Sequence, residues 1–190
     1  MRKYIGNKLP DVVFKTRVRD ESIEGDNPYR WEDVRSSELF ANKRVLIFSL
    51  PGAFTPTCDT YQLPEYERMY DEFKDQGIDE IYCISVNDAF VMNAWAKTQN
   101  LKNVKVLPDG SGHFTRAMNM LVDKDNLGFG YRSWRYAVVA DDNIIEDFVP
   151  EFIDNGPNSH NNCDSDPYDM TSPSFMIDVV RSINHENLAS

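Results

Sequence analysis

Val45-Leu46-Ile47-Phe48-Ser49-Leu50 runs directly into Pro51-Gly52-Ala53-Phe54-Thr55-Pro56-Thr57-Cys58. The first six residues are apolar and rich in β-branched and aromatic types, the pattern of a buried strand. Pro51-Gly52 stops that strand, because proline has no N–H for a ladder and glycine permits a tight turn. Thr55 suits a helix N-cap and Pro56 the first helical position. Cys58 then falls in the first helical turn, where free N–H groups and the positive end of the helix dipole favour a thiolate over a thiol. A free cysteine is only about 3 % ionised at pH 7, and a downward shift of about two units makes most of it the nucleophilic thiolate. Thr55, three residues earlier, shares that face, and its hydroxyl can hydrogen-bond whatever the sulfur attacks. The plainer alternative is a buried structural cysteine at a strand–helix junction.

Working outward, the pattern after Cys58 is helical to about Gln76, with Gly77 as the C-cap. Pro64 interrupts it, so a kink is expected to set off a first turn that can unwind cheaply. Upstream, residues 12–18 read as a strand, 19–29 as a loop or hairpin turn, and 36–40 as a short helix. Downstream, Ile81-Tyr82-Cys83-Ile84-Ser85-Val86 is a second buried strand, and Asn87 or Asp88 caps a helix over 89–98. A short strand over 104–107, a helix over 113–121, a hairpin of strands 134–140 and 144–149, and an amphipathic helix over 174–183 complete the chain. Residues 151–172, rich in Asn, Asp, Ser and Pro, read as a long surface loop. Strands alternating with helices and closing in a hairpin give an α/β class with a mixed sheet.

Composition narrows the function. At 190 residues, with 41 % hydrophobic and 27 % charged residues, one domain over 1–190 with a sizeable core is expected. A net charge of −11 argues against nucleic acid and anionic membranes as partners. Three cysteines without a CxxC pair disfavour a disulfide framework and fit a reducing compartment. No signal-like or membrane-length apolar run is seen, so a cytoplasmic location is expected.

Arg135 lies within Trp134-Arg135-Tyr136-Ala137-Val138-Val139, apolar on both sides, so its guanidinium is expected to be buried and to need a partner. That partner is either an ordinary acid or the Cys58 thiolate, which Arg135 would stabilise. His160, Cys163, Asp164 and Asp166 are too few soft ligands for a zinc site, and no metal is expected. No histidine sits in a partner motif for a cysteine hydrolase.

PGAFTPTC resembles the peroxidatic loop of peroxiredoxins of the type II, or class five, branch. CISVNDAFVMNAW, LPDGSGHFTRAMNM and LGFGYRSWRYAVV are similar to that branch in the same order, over about residues 5–150. The nearest likeness is to proteins in which such a domain is fused to, or served by, glutaredoxin. The resemblance implies a thioredoxin fold with a central mixed β-sheet, flanking helices and an N-terminal extension. It implies a thiol-dependent peroxidase acting on hydrogen peroxide and alkyl hydroperoxides, with Cys58 passing through a sulfenic acid and no cofactor. Arg135 aligns with the family's catalytic arginine, Pro51 with the residue shielding the thiolate, and Thr55 with the residue that hydrogen-bonds the peroxide.

The second thiol stays open. Glutathione with glutaredoxin is the first expectation, and thioredoxin is an alternative. Cys83 matches a resolving position of some plant members, and otherwise reads as a packed core cysteine. Cys163 could resolve Cys58 across its loop, or be a bystander in a segment longer and more polar than the family pattern. Phe54, Phe90 and Phe129 fall at loop or helix-start positions, and in resembling proteins such aromatics line the active site and a dimer interface, which makes a homodimer an expectation. The rival to the enzyme is a redox-sensing interaction protein with little turnover.

Overall fold

The structure is a computed structural model describing residues 2–152 and 160–190. Part of the loop expected over 151–172, residues 153–159, therefore lies outside the described residues. The chain opens with an antiparallel pair, β1 (Val13–Arg19) and β2 (Tyr29–Arg35), followed by the short α1 (Ser36–Leu39). β3 (Arg44–Ser49) carries the apolar run into the Pro51 turn. A π-helical turn (Cys58–Gln62) leads into α2 (Leu63–Arg68) and α3 (Tyr70–Asp75). Next come β4 (Glu80–Ser85), α4 (Ala89–Thr98), β5 (Lys105–Pro108) and α5 (His113–Ala117). The small pair β6 (Leu121–Asp123) and β7 (Tyr131–Ser133) precedes the hairpin β8 (Tyr136–Asp141) and β9 (Ile144–Pro150), and α6 (Pro173–Ala189) ends the chain.

The central sheet has the order β5-β4-β3-β8-β9. β3, β4 and β5 are parallel, whereas β8 runs antiparallel to both β3 and β9. Alternation along the strands supplies a core on each face. Leu46 and Phe48 join Tyr66, Phe73, Trp95 and Met176, all fully buried, beneath α2, α3, α4 and α6. Val45 and Ile47 join Phe14, Phe40, Phe114 and Phe148 on the other side. Each such side chain contributes about 1.5–3 kcal/mol by leaving water, so a strand buried on both faces reads as one continuous apolar run.

Several expectations need correction. β2 was not expected: its sequence is mostly polar and half-exposed, and only pairing with β1 makes it a strand. The helix expected over 113–121 stops at Ala117, and Leu121 begins β6 instead. Arg135 precedes β8 rather than lying inside it. The feature expected at Pro64 as a kink is a π-turn: Leu63 N–H reaches back to Cys58 O, five residues, and Pro64, lacking an N–H, follows within the first turn of α2. Pro108 is tolerated in β5 because that strand is an edge.

Candidate functional site

Topology brings the site together. Tyr136 of β8 pairs with Ser49 of β3, so Arg135, one residue earlier, sits beside the turn that leaves the C-terminal end of β3. The carbonyl of Pro51, in that turn, accepts from Arg132 Nη1 at 3.2 Å. Gly52 leaves room for the Arg132 guanidinium: a Cβ there would lie 2.5 Å from Arg132 Nη1 and 3.3 Å from Thr55 Cγ2, so the tip of Arg132 would have to shift. Asn87 Oδ1 accepts from Ala53 N–H at 3.0 Å, and Phe54 takes the left-handed conformation (φ 64°), half-exposed. Helical structure starts at Pro56. Thr55 does not cap it through its side chain. Its hydroxyl donates back to Gly52 O at 2.7 Å, while its carbonyl accepts from Asp59 N–H. Asp59 ties the turn to α4, with Oδ1 accepting from Trp95 Nε1 at 2.6 Å and Gln99 Nε2 at 2.7 Å.

Cys58 is fully buried, and Arg135 Nη1 lies 3.5 Å from its sulfur. The Arg135 side chain is 1 % exposed, so its charge must be matched locally. Nη1 also donates to Gln62 Oε1, Nε to Pro167 O at 3.0 Å, and Nη2 to Asp166 Oδ1 at 2.5 Å. The Tyr168 ring packs 5.6 Å from the guanidinium carbon. Burial works against the charge of Arg135, but negative charge at Cys58 and Asp166 outweighs it and holds the guanidinium above its ordinary value. Arg132, half-buried, is drawn down by burial, with charge at Cys58 opposing. The buried sulfur thus lies against one guanidinium, with the charge of a second, Arg132, in electrostatic reach.

The segment that covers Arg135 is itself anchored. Glu151, 2 % exposed, accepts from the backbone N–H groups of Asp169, Met170 and Thr171 and from the Thr171 hydroxyl. Gln62 Nε2 donates to Thr171 Oγ1 at 3.4 Å, linking the Cys58 turn to the same anchor. Beside this lies a pocket of about 130 Å³ lined by Pro51, Thr55, Pro56, Phe129, Cys163 and Asp166. A larger cleft, about 760 Å³, lies between β1–β2 and the starts of α4 and α5. Its carboxylates are committed: Asp109 accepts from Phe114 and Thr115, Asp88 caps α4, and Asp11 pairs with Arg35. The chemistry therefore points to the smaller pocket.

Of the residues singled out in the sequence, Cys58, Arg135, Thr55 and Pro51 come together here. Cys163, expected in an exposed loop, is only partly exposed, and its carbonyl accepts from the buried Lys124 amine at 3.0 Å. Cys83 is fully buried on β4, opposite Phe48 of β3, and burial pushes its thiol far above the ordinary range, with charge at Cys58 adding to the rise. His160 lies against the Trp134 ring. Gln62, Arg132 and Asp166 escaped the sequence reading. Gln62, one helical turn after Cys58, carried a usable signal in its spacing.

A mixed five-stranded sheet of thioredoxin type, with a cysteine in the first turn after a central strand and a guanidinium against its sulfur, defines a thiol-redox protein. The chain belongs to the peroxiredoxins, the thiol peroxidases of the Redoxin family, whose model matches residues 5–163. It is 58 % identical to a peroxiredoxin of Rhizobium etli over 92 % of this chain and 95 % of that one. It is 50 % identical to the hybrid peroxiredoxin hyPrx5 of Haemophilus influenzae over 74 % of this chain and 55 % of that longer one. Among solved structures, it resembles reduced Prx3 of Vibrio vulnificus in complex with hydrogen peroxide, with a TM-score of 0.78 and 30 % identity over 95 % of this chain and 98 % of that one.

Proposed function

We propose that this peroxidase reduces hydrogen peroxide and alkyl hydroperoxides at Cys58, with an external thiol as reductant. The observation that carries it is the 3.5 Å approach of Arg135 Nη1 to the Cys58 sulfur beside a pocket walled by Pro51 and Thr55. The thiolate attacks one peroxide oxygen, the O–O bond breaks, and the other oxygen leaves with the electron pair to be protonated as water or an alcohol. Arg135 stands where the leaving charge develops, and exclusion of water strengthens its effect, while the Thr55 hydroxyl, whose proton goes to Gly52 O, is left to accept from the peroxide. Pro51 screens the sulfur. Cys58 becomes a sulfenic acid, which condenses with a thiol to a disulfide and water, and a second thiol regenerates the thiolate.

Glutathione with glutaredoxin is the proposed reductant, ahead of thioredoxin. Burial of Cys83 supports an external thiol, because a thiol held far above its ordinary value carries little thiolate to attack a sulfenic acid. A second reading, an intramolecular disulfide to Cys163, is favoured by the place of that cysteine in the wall of the same pocket. Reaching it requires the π-turn at Cys58 to unwind, since a disulfide needs Cα atoms within about 7 Å. Intact mass after one equivalent of hydrogen peroxide, for the wild type and Cys58→Ser, decides. Gain of one oxygen at Cys58 supports the external thiol, and loss of two hydrogens with a Cys58–Cys163 peptide supports the second reading. Equal oxidation of Cys58→Ser refutes both. Single oxidation without turnover in glutathione and glutaredoxin would instead indicate a sensor. We further propose a homodimer, on the exposed rings of Phe54 and Phe90, and a cytoplasmic location. Light scattering showing only monomer at micromolar concentration would refute the dimer.

A further inference from the structure

Arg135 has three nitrogens, and the segment 166–168 engages two of them. Pro167 O accepts from Nε, Asp166 Oδ1 accepts from Nη2, and the Tyr168 ring lies against the guanidinium carbon. Only Nη1 is left to face Cys58 and Gln62. A guanidinium is planar, so holding two of its nitrogens fixes the direction of the third. The segment is held in turn by Glu151 through residues 169–171. Asp166, Pro167 and Tyr168 all lie beyond the residues matched by the Redoxin model, which end at Cys163.

We propose that Asp166 is the positioning residue of the peroxidatic site: it orients the Arg135 guanidinium so that Nη1 meets the Cys58 sulfur and the oxygen leaving from it. This rests on the assignment of Cys58 as the peroxidatic thiolate. The geometry explains why an acid can serve next to an anionic sulfur. The Asp166 side chain is 45 % exposed, so water screens its charge, while its hydrogen bond to the buried Nη2 keeps its direction. Asp166 therefore supplies orientation while cancelling only part of the positive charge that Arg135 presents to the sulfur. A phosphate- or solvent-facing surface pair would have its arginine exposed, and Arg135 is not.

The test is stopped-flow oxidation of the full chain by hydrogen peroxide from pH 5 to pH 9, followed by tryptophan fluorescence. The proteins are wild type, Asp166→Ala, Asp166→Asn and Cys58→Ser. Among the described residues, the other charged or titratable groups coupled to the sulfur are Arg135, Arg132 and Cys83 on β4, and they are unchanged in the Asp166 variants. Asp166→Ala removes the acceptor and should lower the high-pH plateau about tenfold or more. Asp166→Asn keeps an acceptor oxygen without the charge. It should hold the plateau within about threefold, because the oxygen that fixes Nη2 is still there. A plateau in Asp166→Ala equal to wild type would overturn the proposal. So would an equal loss of plateau in both variants, because charge rather than orientation would then matter. If Asp166→Ala does not fold, Asp166→Leu, which also lacks the acceptor, takes its place: a lowered plateau that Asp166→Asn restores supports the proposal, and a plateau equal to wild type overturns it. A wild type with no peroxide-dependent phase, or with the same phase in Cys58→Ser, would show that the underlying peroxidatic assignment had failed, and this proposal with it.

Discussion

Replacing Arg135 by methionine removes the cation that, among the described residues, lies within hydrogen-bonding distance of the Cys58 sulfur, while keeping a long, apolar-compatible side chain. Two unit charges 3.5 Å apart attract by about 5 kcal/mol at an effective dielectric of about 20. Asp166 on the far side of the guanidinium offsets part of this, and Arg132 remains as a half-buried second cation. About 2.5–3.5 kcal/mol of lost stabilisation is therefore expected for the developing oxyanion and the thiolate together, in line with deletion of one oxyanion-hole donor. At 1.36 kcal/mol per factor of ten, the second-order rate constant for oxidation by hydrogen peroxide should fall about 70- to 400-fold. Arg135→Lys should lie between the two, because it restores charge but not the fork that meets Gln62, Pro167 and Asp166 simultaneously. Competition against a catalase-type scavenger gives the rate constants, and circular dichroism checks that each variant is folded. A folded Arg135→Met within threefold of the wild type would refute the electrostatic reasoning, whatever the role of Cys58.

Two further predictions concern the scaffold around the site. Glu151→Gln keeps one acceptor oxygen but loses the carboxylate that serves three backbone N–H groups and the Thr171 hydroxyl, so unfolding in urea should show a loss of about 2–4 kcal/mol; an unchanged midpoint and slope would contradict the anchoring role. His160 is held below its ordinary value, first by burial against Trp134 and then by the Lys124 charge. The unfolded chain therefore takes up the proton first, and the stabilising contribution of the neutral ring, present above about pH 6.5, is lost as pH falls below it. An NMR titration of His160 should give a midpoint below that of a free histidine, and a midpoint above it would overturn the assignment of His160 to the Trp134 face.

Much of the site was legible because it is local. The β3 run, the Pro51-Gly52 stop and the Thr55-Pro56 helix start are consecutive, and backbone chemistry alone places Cys58 in a first turn. Arg135 was legible for a different reason: a charge in an otherwise apolar stretch announces that it will be buried and paired. Pro64 signalled an irregular helix but not its form, since whether the chain kinks or makes a π-turn depends on the packing of Leu63 and Tyr66 into the core. β2 escaped because a polar strand on a two-stranded sheet has no apolar period to read, and β6 and β7 are three residues each.

What the amino-acid order determined by itself was the pair of ingredients, a cysteine at a helix start and an arginine that must be buried, along with the alternation that builds a sheet with two cores. Which residues meet them was decided by tertiary structure. The antiparallel pairing of β8 with β3 carries Arg135 across 77 residues to Cys58. The docking of residues 166–171 on Glu151 selects Asp166, out of 31 acids in the chain, as the partner of Arg135. The physical reason is that an isolated carboxylate in a polar loop has no periodic pattern and no local partner. Its role depends on which buried charge it covers, and that is settled only when distant segments pack together.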